Sequence, residues 1–81
     1  NPSTTVQFDV PQQAVVSLKI YNVVGQEVAV LVEGRVYEPG RYQETFTATN
    51  LPSGVYYYRL MANSTTTDKH FVSIRKMLLV R

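Results

Sequence analysis

The alternation of apolar and polar side chains, cut into short runs by proline and glycine, most limits what this chain can fold into. Thr4, Val6, Phe8 and Val10 share one parity against Thr5, Gln7 and Asp9, and Pro11 closes the run. Val16, Leu18 and Ile20 then alternate with Ser17 and Lys19. A period of two marks a strand with one face buried, because successive strand side chains point to opposite faces. Asn22-Val23-Val24-Gly25 sets Asn at the first and Gly at the fourth position of a type I turn. Residues 27–32 are apolar on both faces and run out near Gly34. Three valines and a leucine there favour a strand over the one short helix that residues 26–33 could also form.

The second half has the same grammar. Pro39-Gly40 suits a type II turn, with Pro fixing φ at the second position and Gly accepting a positive φ at the third. Tyr42, Phe46 and Ala48 follow on one face, with Glu44 an odd member among them. Leu51-Pro52-Ser53-Gly54 turns the chain into a run in which Tyr56, Tyr58, Leu60 and Ala62 oppose Val55, Tyr57, Arg59 and Met61. Arg59 belongs outside, which assigns Tyr56, Tyr58 and Leu60 to the core. Residues 63–70 read as a long polar loop, and residues 71–80 as a last apolar run with basic residues inside it. Six or seven strands with a turn signal every dozen residues or so predict an all-β fold, an Ig-like antiparallel β-sandwich of about seven strands. Its expected core holds Val6, Phe8, Leu18, Ile20, Phe46, Tyr56, Tyr58 and Leu60. Gly25, Gly40 and Gly54 are its turn glycines; Gly25 and Gly54 are expected where a side chain is penalised.

At 81 residues the chain is one domain, near the lower limit of unaided folding. With no cysteine there is no disulfide staple and no thiolate metal site. The chain opens on Asn1-Pro2 without an initiator Met and shows no signal-peptide pattern, and is read as a piece of a longer polypeptide. A net charge of +2 is too small to argue for nucleic acid as a partner. Its distribution says more. Residues 61–81 hold Lys69, Arg75, Lys76 and Arg81 against Asp68 alone. Such a basic end is either a solvated strand edge protected against edge-to-edge pairing or a recognised tail.

Catalytic chemistry finds little to stand on. His70 is the single histidine, two residues beyond Asp68, and no glycine-framed serine accompanies the pair. The acids are scattered, no calcium-loop pattern occurs, and one His without Cys cannot assemble a zinc site. No enzymatic activity, metal or cofactor is expected. Tyr56-Tyr57-Tyr58 invites comparison with carbohydrate-binding modules, but adjacent strand residues face opposite ways, so the three cannot form one stacking platform. They read as two inward tyrosines with hydroxyls satisfied at the rim and one outward. Asn63-Ser64-Thr65 is a formal glycosylation triplet of a kind common by chance.

In order along the chain, four stretches resemble one family. Residues 1–11 are similar to its opening strand, and residues 16–28, VSLKIYNVVGQEV, to its most recognisable stretch. Residues 51–60, LPSGVYYYRL, are similar to the next, and Arg75, Lys76, Met77, Leu78, Leu79, Val80 and Arg81 to its basic-apolar ending. The family is the C-terminal sorting domain of the type IX (Por) secretion system, type A, found on surface and secreted proteins of Bacteroidetes and related bacteria. The family usually turns tightly before its last strand, whereas residues 63–70 here read as a longer loop.

This resemblance implies an address rather than an active site. The domain would end a larger exported protein, pass through the periplasm, and be read by an outer-membrane translocon. A sortase-like protease would often remove it, and the covalently attached N-terminal cargo would reach the cell surface or the medium. The residues from Arg75 to Arg81 would be the sorting signal. Two other readings stand beside this one: a structural Ig-like module such as that of flagellar hook-capping proteins, and a carbohydrate-binding module.

Overall fold

The structure is a computed structural model that describes residues 3–48 and 50–80. Six strands occur among the described residues: β1 (Ser3–Val10), β2 (Ala14–Tyr21), β3 (Glu27–Tyr37), β4 (Gly40–Thr47), β5 (Gly54–Ser64) and β6 (His70–Leu79). All pairings are antiparallel, in a two-stranded sheet β1–β4 and a four-stranded sheet β3–β2–β5–β6. The all-β sandwich is as expected. The described residues hold six strands where about seven were expected, and residues 27–37 form one long strand instead of ending near Gly34.

β1 and β2 keep the parity of their sequences. Val6, Phe8 and Val10 are buried while Thr5, Gln7 and Asp9 are exposed; Ala14, Val16, Leu18 and Ile20 are buried along β2. Phe46 and Tyr56 complete the part of the core that the sequence assigns correctly. Tyr58 and Leu60 are only half-buried, a correction whose cause is that the facing sheet is two strands wide and does not reach over them. The interior divides into a cluster around Phe8, Val16, Leu18 and Tyr37 and another around Ile20, Phe46, Tyr56 and Leu79. In the first, the rings of Phe8, Tyr37 and Tyr42 meet with centroids 4.6–5.8 Å apart. Edge contacts of this kind add to simple area burial.

β3 is irregular. Its register against β2 shifts between Val16 and Leu18, between Leu18 and Lys19, and between Ile20 and Tyr21. Each bulge adds a residue on β3 and reverses which face the next side chain takes. This is why residues 27–32 look apolar on both faces. At the first shift Gly34 has φ 63°, and its N–H donates to the Ser17 hydroxyl at 3.2 Å. Gly34 therefore bends the strand without ending it.

The turns are built largely as their residues require. The Gly25 N–H donates to the Asn22 carbonyl at 3.1 Å, and the Asn22 side-chain oxygen accepts from the N–H groups of Val24 and Gln26. Gly25 follows at φ 85°, the left-handed residue that closes a three-residue hairpin loop. At Pro39-Gly40 the expectation of a type II turn is not met. Gly40 has φ 157°, far from the value near +80° of that turn, and already pairs with Val10 as the first residue of β4. The connection carries the chain from one sheet to the other and is a corner, not a hairpin. Gly54 has φ 152° and opens β5.

Candidate functional site

β6 is the last strand of the sheet order and, among the described residues, pairs with β5 alone. Ten consecutive residue pairs join the two, from Asn63 opposite His70 to Gly54 opposite Leu79, with no register shift. The connecting loop is shorter than the sequence suggests. Asn63 and Ser64 belong to β5, the Ser64 N–H donates to the Lys69 carbonyl at 3.0 Å, and only residues 65–69 lie between the strands. The hydroxyl residues of this turn bind it to the β1–β2 connection. Ser64 Oγ donates to Gln12 Oε1 at 2.7 Å and accepts from the N–H groups of Thr66 and Thr67. The Thr65 N–H donates to the Gln13 carbonyl at 3.0 Å, and its hydroxyl bonds the Gln13 side chain. Four hydroxyls in a row thus serve as local turn chemistry.

Most of β6 stays in solvent. One parity, Phe71, Ser73, Arg75, Met77 and Leu79, faces the same way as the core residues Tyr56 and Ala62 of β5. Along that face Leu79 is buried and Met77 half-buried, because Phe46 and Ala48 lie over this end, while Phe71 and Arg75 are exposed. The other parity carries Val72, Ile74, Lys76 and Leu78, all exposed. The terminal run expected to act as a signal is therefore divided. Arg75, Lys76, Leu78 and Val80 are presented, Met77 is intermediate, Leu79 is a core residue, and Arg81 lies outside the described residues. Arg75 and Lys76 make no ion pair among the described residues.

Of the turn glycines, Gly54 sits opposite Leu79 in the ladder, Gly25 lines an outer-face groove with Val72 and Ile74, and Gly40 is away from both, in the other sheet. That groove also contains Tyr57 and Arg59. Arg59 is outward, as its parity requires, yet half-buried, with its Nε enclosed and unpartnered. Tyr56 is buried, and its hydroxyl donates to the Pro52 carbonyl at 2.8 Å, the rim arrangement expected for it. Asp68 and His70 are both exposed. Among the described residues no three of His, Asp and Glu come together as metal ligands, and no helix is long and apolar enough to cross a membrane.

The arrangement offers a long edge with basic and apolar side chains. In comparison with known families, residues 1–75 match the secretion system C-terminal sorting domain. The chain belongs to this family. No curated protein and no solved structure gives a match. The sorting domain is a C-terminal signal for type IX secretion that directs an attached N-terminal cargo across the outer membrane, to the cell surface or the extracellular space. Neither a structural Ig-like module nor a carbohydrate-binding module finds support beside it. The match takes in all of β1–β5 and the first half of β6, and the last residue within it is Arg75.

Sequence reasoning did not single out Phe71, Val72 and Ile74 as surface residues. Phe71 and Val72 are adjacent, so the run looks like a strand buried on both faces, and the signal that separates it is the basic pair that follows.

Proposed function

We propose that the sorting domain is read through β6 and the residues after it, from Arg75 to Arg81, by an outer-membrane translocon while the protein is in the periplasm. A sortase-like protease then separates the domain from its cargo. The domain itself performs no catalysis, binds no cofactor and has no nucleic-acid partner; its task is to be recognised. It forms the C-terminal unit of the exported protein, residues 1–81 acting as a single sandwich.

One observation carries this reading: an edge strand of ten residues, paired on one side only among the described residues, that holds Arg75 and Lys76 in solvent with no ion pair among those residues. Natural sheets usually protect such edges by shortening, bulging, covering or charging them, and of these β6 shows only the charges of Arg75 and Lys76. A long edge left open suits recognition by strand addition, in which main-chain hydrogen bonds supply affinity and alternate side chains supply selectivity. Lys76 and Arg81 would set the register.

The test is a reporter fused ahead of the domain, behind a signal peptide, in a host with this secretion system. Deleting residues 77–81 is expected to leave the reporter in the periplasm. Lys76→Ala with Arg81→Ala should alter stability by no more than about 0.5 kcal/mol, as at most surface sites, and still reduce export. Leu79→Ala is the control for stability, since it weakens the core without removing the basic residues. Export of the reporter at the normal level after the deletion would refute the reading.

A further inference from the structure

The two sheets are unequal, and the inequality leaves a defined space. A cavity of about 550 Å³ lies where the two-stranded sheet stops and the four-stranded sheet continues. Its walls show what kind of space it is. From β1 it touches three consecutive residues, Gln7, Phe8 and Asp9. Side chains alternate across a strand, so a surface that meets consecutive residues runs along the strand's backbone edge. From the other sheet it touches alternate residues: Tyr58 and Leu60 of β5, then Phe71, Ser73 and Arg75 of β6. Alternate residues form a face. The cavity is bounded by the edge of one sheet and the inner face of the other, which is the place of a third strand beside β1. Among the described residues β1 pairs with β4 alone, so its side toward the cavity has no strand partner there.

The side chains around this slot are those of an unfinished core. Tyr58 and Leu60 are half-buried, and Phe71, on the core-facing parity of β6, is 43% exposed. The charges then select the occupant. Arg75 stands on the same inner face with no ion pair among the described residues, and the nearby carboxylate of Asp9 is already engaged by Arg41 at 3.0 Å. A second copy of this chain would be a poor fit. Its long apolar edge strand, β6, carries Arg75 and Lys76 and no acid, and would bring cations to a cation.

We propose that the slot beside β1 accepts an extended peptide segment from a partner protein, one with apolar side chains at alternate positions and a carboxylate at the position facing Arg75. The segment extends the β1–β4 sheet to three strands. Its inward apolar groups cover Leu60, Tyr58 and Phe71, and its acid pairs with Arg75. Phe71 and Arg75 are four residues apart on one face, so the inward pattern is apolar, apolar, acidic at every second residue. The slot shares Arg75 with the proposed sorting signal but lies on the inner face of the sheet, and it is tested on the isolated domain by peptide binding, not by export.

Two synthetic peptides test it, both capped and of sequence Thr-Val-Thr-Val-Thr-X-Thr, with X either Glu or Lys. They are titrated into the isotope-labelled domain and followed by amide resonances. The Glu peptide is expected to move the amides of Gln7, Phe8 and Asp9 and to bind about threefold to tenfold more tightly than the Lys peptide, one partly screened ion pair gained and one like-charge contact avoided. Arg75→Glu should reverse the order of the two peptides while leaving the dispersed spectrum of the folded domain intact. The proposal fails if neither peptide moves the β1 amides at millimolar concentration, or if shifts are confined to β6. It fails equally if Arg75→Glu leaves the peptide order unchanged. Concentration-dependent self-association through the same β1 amides would assign the slot to a second copy and overturn it.

Discussion

β2 and β6 are both rich in apolar side chains. β2 buries Ala14, Val16, Leu18 and Ile20 to 1% exposure or less, whereas β6 leaves Phe71, Val72, Ile74 and Leu78 between 43% and 66% exposed. Composition does not separate them; position does. β2 has a strand on each side and the second sheet above it, while β6 has a strand on one side and is covered only near Leu79. An apolar strand becomes core only where another layer reaches it, and a sheet of two strands cannot cover a sheet of four.

The contrast is most exposed to test by truncation. Leu18→Ala, in the centre of β2, should lower unfolding free energy by about 2–5 kcal/mol in urea titration, the range for fully buried leucines. Ile74→Ala on β6 should stay within about 0.5 kcal/mol, as for a surface site. Equal losses at the two would erase the distinction. A finer version lies within β6 itself. Leu79→Ala should cost about 2 kcal/mol or more while its neighbour Leu78→Ala costs little, because Leu79 is 2% exposed and Leu78 66%.

Turn chemistry should show smaller effects. Gly25→Ala meets no atom within 4 Å, so its cost is the backbone strain of φ 85° alone, about 1–2 kcal/mol by thermal or chemical denaturation. A neutral result would mean that the turn relaxes to another form. The smaller of the two turn effects is Ser64→Ala, which removes the hydroxyl that joins the last hairpin to Gln12 and should lose about 0.5–1.5 kcal/mol. Faster amide exchange should then appear at Thr66 and Thr67, whose N–H groups that hydroxyl accepts.

The parity of β1 and β2 was legible in the sequence because both strands run without interruption and one side of each is buried. β3 was not, since three bulges reverse its parity within one strand, and no local residue pattern announces them except Gly34. Tyr58 and Leu60 follow the correct face but not the expected burial. Face is a property of the strand, whereas burial depends on how far the opposite sheet extends. The same limit applies to the sorting site. The basic pair Arg75 and Lys76 stood out in the sequence, yet that Leu79 belongs to the core and Leu78 to the surface depends on Phe46 and Ala48, far away along the chain. The hairpin before β6 looked long because its residues are polar, but polarity does not prevent Asn63 and Ser64 from pairing in the ladder.

The two edges of the four-stranded sheet differ in a way that bears on crowding. β6 keeps ten pairs in unbroken register with β5, while β3 at the opposite edge is offset three times against β2. In the vocabulary of polymer chemistry the sheet is monofunctional. One side keeps an even register for a further strand; the other, bulged three times against β2, is a poorer template for the next. Fibre growth by sheet extension needs two such ends. Copies of this domain brought to high local density can each be capped once through β6, and the sheet then acts as a chain stopper instead of a repeating unit.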